Sequence, residues 1–165
     1  MPTMLQGLAE IGRIRSVRYG LSDGIFGLLS YEGSKTEQQE TEMRRRLEQF
    51  IAFVNYFETV NSYEKAKSSN DPSQMKSLET KLVEKTDVYA GLVSIFKPEE
   101  RQQYQSKLME AKDVITTILR GNVPPRAKID ASLITLKEMK KLVIERTSDQ
   151  EKTAERMIYG SIPAF

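Results

Sequence analysis

Proline cuts this chain into helix-length pieces. Breaks fall at Asp71-Pro72, Lys97-Pro98 and Val123-Pro124-Pro125. Each proline lacks an amide donor and turns the residue before it away from helical backbone. Between the breaks, apolar residues recur every three or four positions, the spacing of an amphipathic helix. A chain built this way folds from several helices joined by tight connections.

Each piece carries its own start signal. Thr36-Glu37-Gln38-Gln39 has capping-box spacing, and the seam that follows (Met43, Leu47, Phe50, Val54, Phe57) alternates steps of four and three. Ile51, Phe53 and Val60 widen that stripe beyond a two-stranded coiled coil, as in a bundle member. Asp71 followed by Pro72 is an N-cap with proline at the first helical position, and Met75, Leu78, Leu82, Tyr89, Leu92, Val93 and Phe96 form the next stripe. Pro98 with Glu99 and Glu100 opens a third helix carrying Tyr104, Leu108, Ala111, Ile115 and Ile118, closed by Gly121. Asp130 is read as the cap of a fourth, with Leu133, Leu136, Met139, Val143 and Ile144 as its apolar face. Ser148-Asp149-Gln150-Glu151 has capping spacing again. The expected fold is all-α: an antiparallel up-and-down four-helix bundle with helices over 36–69, 72–96, 98–120 and 130–147, and a short C-terminal helix over 149–158.

The N-terminal segment reads differently. Six of the nine glycines lie in the first 33 residues. Each glycine inside a helix costs about 1 kcal/mol relative to alanine. Residues 1–35 are therefore expected to form an extended arm outside a helical body of residues 36–159, with a tail over 160–165. The arm is too apolar for a solvated disordered segment. It either folds over its own bundle or is covered by a partner.

Chemistry is narrowly bounded. The 165 residues contain no Cys, no His and no Trp. That removes the usual ligands for zinc, haem and iron–sulfur centres, histidine catalysis, cysteine nucleophiles and disulfides. Glu99 and Glu100 are adjacent in a helix first turn, which accounts for them as dipole partners. The glycines match no phosphate-loop spacing. No enzymatic activity, cofactor, metal or small-molecule substrate is expected. The formal charge of +2 does not by itself demand an anionic partner. No apolar run reaches the roughly 20 residues of a membrane span, and no secretory signal is evident. A soluble protein of the cytoplasm or an organelle interior is expected.

Two residue sets are candidates for function. Arg13, Arg15, Arg18 and Tyr19, with Ile25, Phe26, Leu28 and Leu29 in the arm and Phe165 in the tail, combine the residue types that dominate protein–protein hot spots. They point to a non-enzymatic structural or accessory subunit that docks through both termini onto other protein subunits of a larger assembly. Arg44, Arg45 and Arg46, with Lys137, Lys140 and Lys141, are the basic alternative, a surface for nucleic acid or anionic membrane. Base-stacking aromatics are not interleaved with them.

Overall fold

The computed structural model describes residues 3–160, and all their regular structure is helical. Six α-helices follow one another: α1 (Met4–Leu29), α2 (Glu37–Ser68), α3 (Pro72–Leu82), α4 (Thr86–Ile95), α5 (Pro98–Leu119) and α6 (Arg126–Tyr159), with a 3-10 turn over Val83–Lys85. They pack as a helical bundle. α1 lies against α6, α2 and α4, while α5 lies against α2 and α6.

Several of the sequence signals act as expected. Thr36 and Gln39 close a reciprocal capping box, and the Asp71 side chain accepts from the Gln74 amide ahead of Pro72. Glu100 accepts from the Lys97 amide, and Gly121 leaves α5 in the left-handed region at φ +82°.

The extended arm is not what forms. Residues Met4–Leu29 are one helix, capped by Thr3 and Gln6, and it is embedded in the bundle. Gly7, Gly20, Gly24 and Gly27 all face inward, on the same side as Ile11, Ile14, Val17, Leu21 and Leu28. These glycines are close-approach positions. A Cβ on Gly20 would sit 2.3 Å from the Phe53 ring, one on Gly24 would meet Phe50 at 2.7 Å, and one on Gly27 would meet Leu47 at 2.2 Å. Gly7 lets α1 reach the Ala154 carbonyl of α6, and from the other side Gly91 of α4 sits on the Arg13 carbonyl. Five glycines in α1 cost about 1 kcal/mol each in propensity. Five buried aliphatic side chains return about 1.5–3 kcal/mol each, so packing outweighs propensity.

Contacts along each pair set the directions. Gly7 meets Met157 and Gly24 meets Leu136, so α1 and α6 run in opposite senses. Gly20, Gly24 and Gly27 meet Phe53, Phe50 and Leu47 in descending order, and α1 and α2 are likewise opposed. Between α2 and α5, Arg44 donates to the Leu119 carbonyl and Asn61 to the Arg101 carbonyl, again an opposed pair. The core fills the space between, with Phe50, Phe57, Phe96, Leu47, Leu108, Ile115, Leu136 and Met139 fully buried.

Two further expectations are corrected. The helix expected over 72–96 is broken at Val83–Lys85, where the Tyr56 hydroxyl lies within donating distance of the Leu82 and Lys85 carbonyls, at 3.0 and 2.6 Å. Burial pushes that phenol up to about 12, so it stays a donor. The fourth and fifth helices are one: α6 starts at Arg126, ahead of Asp130, and runs unbroken through Ser148–Glu151. No glycine or proline interrupts it there, so the capping-box spacing lies inside the helix.

Gly20 and Gly12 offer a direct comparison. Gly20→Ala forces the Phe53 ring to move and should destabilise the protein by about 1–3 kcal/mol. At Gly12 a Cβ meets only the Asp87 carboxylate, at 3.2 Å on an exposed side chain that can turn away. Gly12→Ala should therefore be neutral or stabilising by up to about 1 kcal/mol. Urea unfolding of the two variants checks the difference, and equal destabilisation would contradict the close-approach account.

Candidate functional site: the outward face of the first helix

The arm residues fall on three sides of α1. Leu28 is in the core and Ile25 packs half-buried against it. Arg18 forks onto Glu151 of α6 at 3.2 and 3.4 Å. Arg13 is exposed and reaches back to Glu10 at 3.3 Å. Arg15 lies 3.8 Å from Glu151 and 3.9 Å from Glu155, too far for hydrogen bonds, and its Nε is buried with no partner. Tyr19, Phe26 and Leu29 point outward, 57%, 40% and 56% exposed. Phe165 lies outside the described residues.

The outward residues are not scattered. Leu5, Leu8, Gly12, Arg15, Tyr19, Ser22, Phe26 and Leu29 follow steps of 3, 4, 3, 4, 3, 4 and 3. Such alternation keeps side chains in one seam along a helix. Leu5 and Leu8 are themselves 74% and 48% exposed. α1 thus has a buried apolar face and an outward face on which Leu5, Leu8, Tyr19, Phe26 and Leu29 are exposed. Sequence reading missed Leu5 and Leu8 because the glycines around them argued against a helix; their spacing to Tyr19, Phe26 and Leu29 was the available signal.

Polar pairs border this seam. Arg46 reaches Asp23 at 3.1 Å and Glu42 at 2.9 Å, and its guanidinium lies 4.6 Å from the Phe26 ring centroid. Burial raises the Asp23 carboxyl above its ordinary range despite Arg46 beside it. Hydrogen bonds from Arg45, then Arg46, hold Glu42 down at about 2. An apolar and aromatic seam edged by charged pairs has the anatomy of a protein-binding patch.

The basic alternative is dispersed. Arg44 turns to α5, while Arg45 and Arg46 are engaged by Glu42. Lys137 and Lys141 are exposed on α6, with Lys141 4.0 Å from Glu145, and Lys140 is half-buried. The two basic runs lie on α2 and α6, which are not among the closely packed pairs.

Elsewhere the polar chemistry holds the frame. Arg101, only 3% exposed, donates to the Asn61 side chain at 3.1 Å and to the Phe96 carbonyl at 2.6 Å. Arg146 donates to the Ile95 carbonyl at 2.9 Å and forks onto Glu100 at 2.8 and 2.7 Å. The two guanidiniums meet the carboxyl end of α4, where the helix dipole is negative. Tyr89 donates a short hydrogen bond to Glu64, and burial first, then that carboxylate, raise its pKa. An open groove of about 610 Å³ between α1 and the end of α6 is lined by Gln6, Glu10, Arg13, Asp149, Thr153 and Met157. Among the described residues no acidic cluster is arranged to hold a metal ion, and no helix is long and apolar enough to cross a membrane.

Comparison with protein-family models, with curated proteins and with solved structures found no match.

The Glu100–Arg146 pair makes a pH prediction. Hydrogen bonds from Arg146, then from the Lys97 amide, lower Glu100 from 4.5 to about 2. A carboxyl depressed in the folded state stabilises it above the unfolded value, and that contribution disappears as pH falls through the folded one. Stability should therefore decline between about pH 4.5 and 2. Glu100→Gln should flatten part of that decline in urea titrations across the window. An unchanged acid slope in the variant would count against the pair.

Proposed function

We propose that the protein is a non-enzymatic structural subunit that docks onto another protein through the outward face of α1. In this reading the four long helices, α1, α2, α5 and α6, act as a rigid antiparallel frame. The α3–α4 segment bridges α2 and α5. One observation carries the reading: on the outward face of α1, Leu5 and Leu8 at one end, Phe26 and Leu29 at the other and Tyr19 between them remain on the surface after the core is complete. Single exposed apolar residues are ordinary, whereas several aligned on one helix face and edged by charged pairs mark an interaction surface. Aromatic and arginine side chains at its centre, Tyr19 and Arg15, are the types that anchor interfaces.

Docking differs here from the arm-and-tail picture. The arm does not reach away from the bundle; it is a wall of it, and its outer surface is what a partner would cover. The basic-surface reading has less support, because Arg45 and Arg46 are paired with Glu42 and Arg44 is bound to a backbone carbonyl.

The test is the size of the particle that holds the chain in a native extract. Wild-type protein should travel in a complex heavier than itself, and the double variant Tyr19→Asp, Phe26→Asp should travel as the free chain. Both substitutions are at exposed sites, so circular dichroism should stay that of the wild type. A variant retained in the heavy fraction would place the docking surface elsewhere.

A further inference from the structure

The outward seam of α1 has a property that a surface made for an unrelated partner does not need. Its two halves match each other. Numbered outward from the middle, Arg15 answers Tyr19, Gly12 answers Ser22, Leu8 answers Phe26, and Leu5 answers Leu29. Large apolar residues stand at both ends, small ones at both intermediate positions, and a cation and an aromatic ring at the centre. We infer that the occupant of this seam is a second copy of the same chain, packed α1 against α1 in antiparallel orientation about a two-fold axis beside residue 17. The inference rests on the docking reading above and names its partner.

Self-complementarity is what a two-fold interface demands, because each residue i that meets j is repeated as j meeting i. With heptad labels, Leu5, Gly12, Tyr19 and Phe26 take one core position and Leu8, Arg15, Ser22 and Leu29 the other. Antiparallel helices place these two classes opposite each other, layer by layer. The pairs formed are Leu5 with Leu29, Leu8 with Phe26, Gly12 with Ser22, and Arg15 with Tyr19. The parallel arrangement would instead stack Arg15 on Arg15, bringing like charges together in the middle of the contact. Orientation is thus decided by one residue.

The electrostatics at the axis also fit. Arg15 makes no hydrogen bond within its own chain, in contrast to Arg18, which is forked onto Glu151. Its guanidinium, held only by the long ion pairs to Glu151 and Glu155, can swing over the Tyr19 ring of the other copy, a cation–π contact. That contact is made beside Arg18, which lies 6.0 Å from the Tyr19 ring in its own chain. Glu151 and Glu155 stand close behind it and offset the two arginines brought together at the axis. The seam from Leu5 to Leu29 spans about 36 Å at 1.5 Å per residue, one helix wide, which puts the contact at the small end of specific interfaces. A reversible dimer is the consequence.

Sedimentation equilibrium of the purified full-length chain, from micromolar to millimolar, is the first arm of the test. A monomer–dimer equilibrium is expected, weakened about 30-fold by Tyr19→Ala. The second arm uses the absence of native cysteine. Leu5→Cys mixed with Leu29→Cys should form a disulfide between unlike chains on mild oxidation, while either alone should not. A chain that stays monomeric throughout overturns the inference, as does a dimer indifferent to Tyr19→Ala. Disulfides between like Leu5→Cys chains would overturn the antiparallel register. A monomeric chain that still travels in a heavy native complex sinks only this inference, whereas a chain free in both settings sinks the docking reading with it.

Discussion

The structure depends on how closely α1 approaches its neighbours. Where Gly20, Gly24 and Gly27 face Phe53, Phe50 and Leu47, the rings and branched side chains of α2 fill the space that side chains on α1 would need. The same approach on the other side brings α1 against α6 and lets Gly91 of α4 rest on its backbone. Close approach increases dispersion contacts along the whole helix, each tiny and together large. It also fixes α1 rotationally, because Gly20, Gly24 and Gly27 are where the side chains of α2 can come this close. The outward seam is therefore presented in a fixed orientation by the same glycines that bury the opposite side.

A second constraint concerns the α3–α4 segment. α3 buries only Leu82, so propensity and packing alone hold it weakly. The path is determined at three polar points instead: Tyr56 at the break between α3 and α4, and Arg101 and Arg146 at the carboxyl end of α4. Each binds backbone carbonyls left free where a helix ends or changes pitch. These polar groups determine where the chain turns.

Much of this was legible in the residues, and the misreadings have definite causes. Helix starts at Thr36, Asp71 and Lys97-Pro98 and the exit at Gly121 follow from local hydrogen-bonding rules, and local rules operate wherever the chain goes. Helix α1 was hidden because glycine was weighed by its intrinsic cost. Yet Gly7, Ile11, Ile14, Val17, Leu21, Gly24 and Leu28 already share one helical face in the sequence, and that periodicity outranks propensity when the glycines face a partner. Ser148–Glu151 has the spacing of a cap but lacks any break before it. Which side of α1 is outward, and that Arg101 is buried against Asn61 and the Phe96 carbonyl, depends on elements far apart in the chain. Neither could be read locally.

The pairing of α1 with α6 also sets an order of events during synthesis. Arg18 and its partner Glu151 are 133 residues apart, so α1 rests on a helix made long after it. At about 5–20 residues per second, α6 follows α1 from the ribosome by a delay on the order of ten seconds. Throughout that interval the side of α1 that α6 will cover stays open on the nascent chain. The α2 face can be satisfied early, since α2 comes next and contributes Leu47, Phe50 and Phe53. The rest must wait, and this long-range closure is the step most exposed to misassembly between nascent chains.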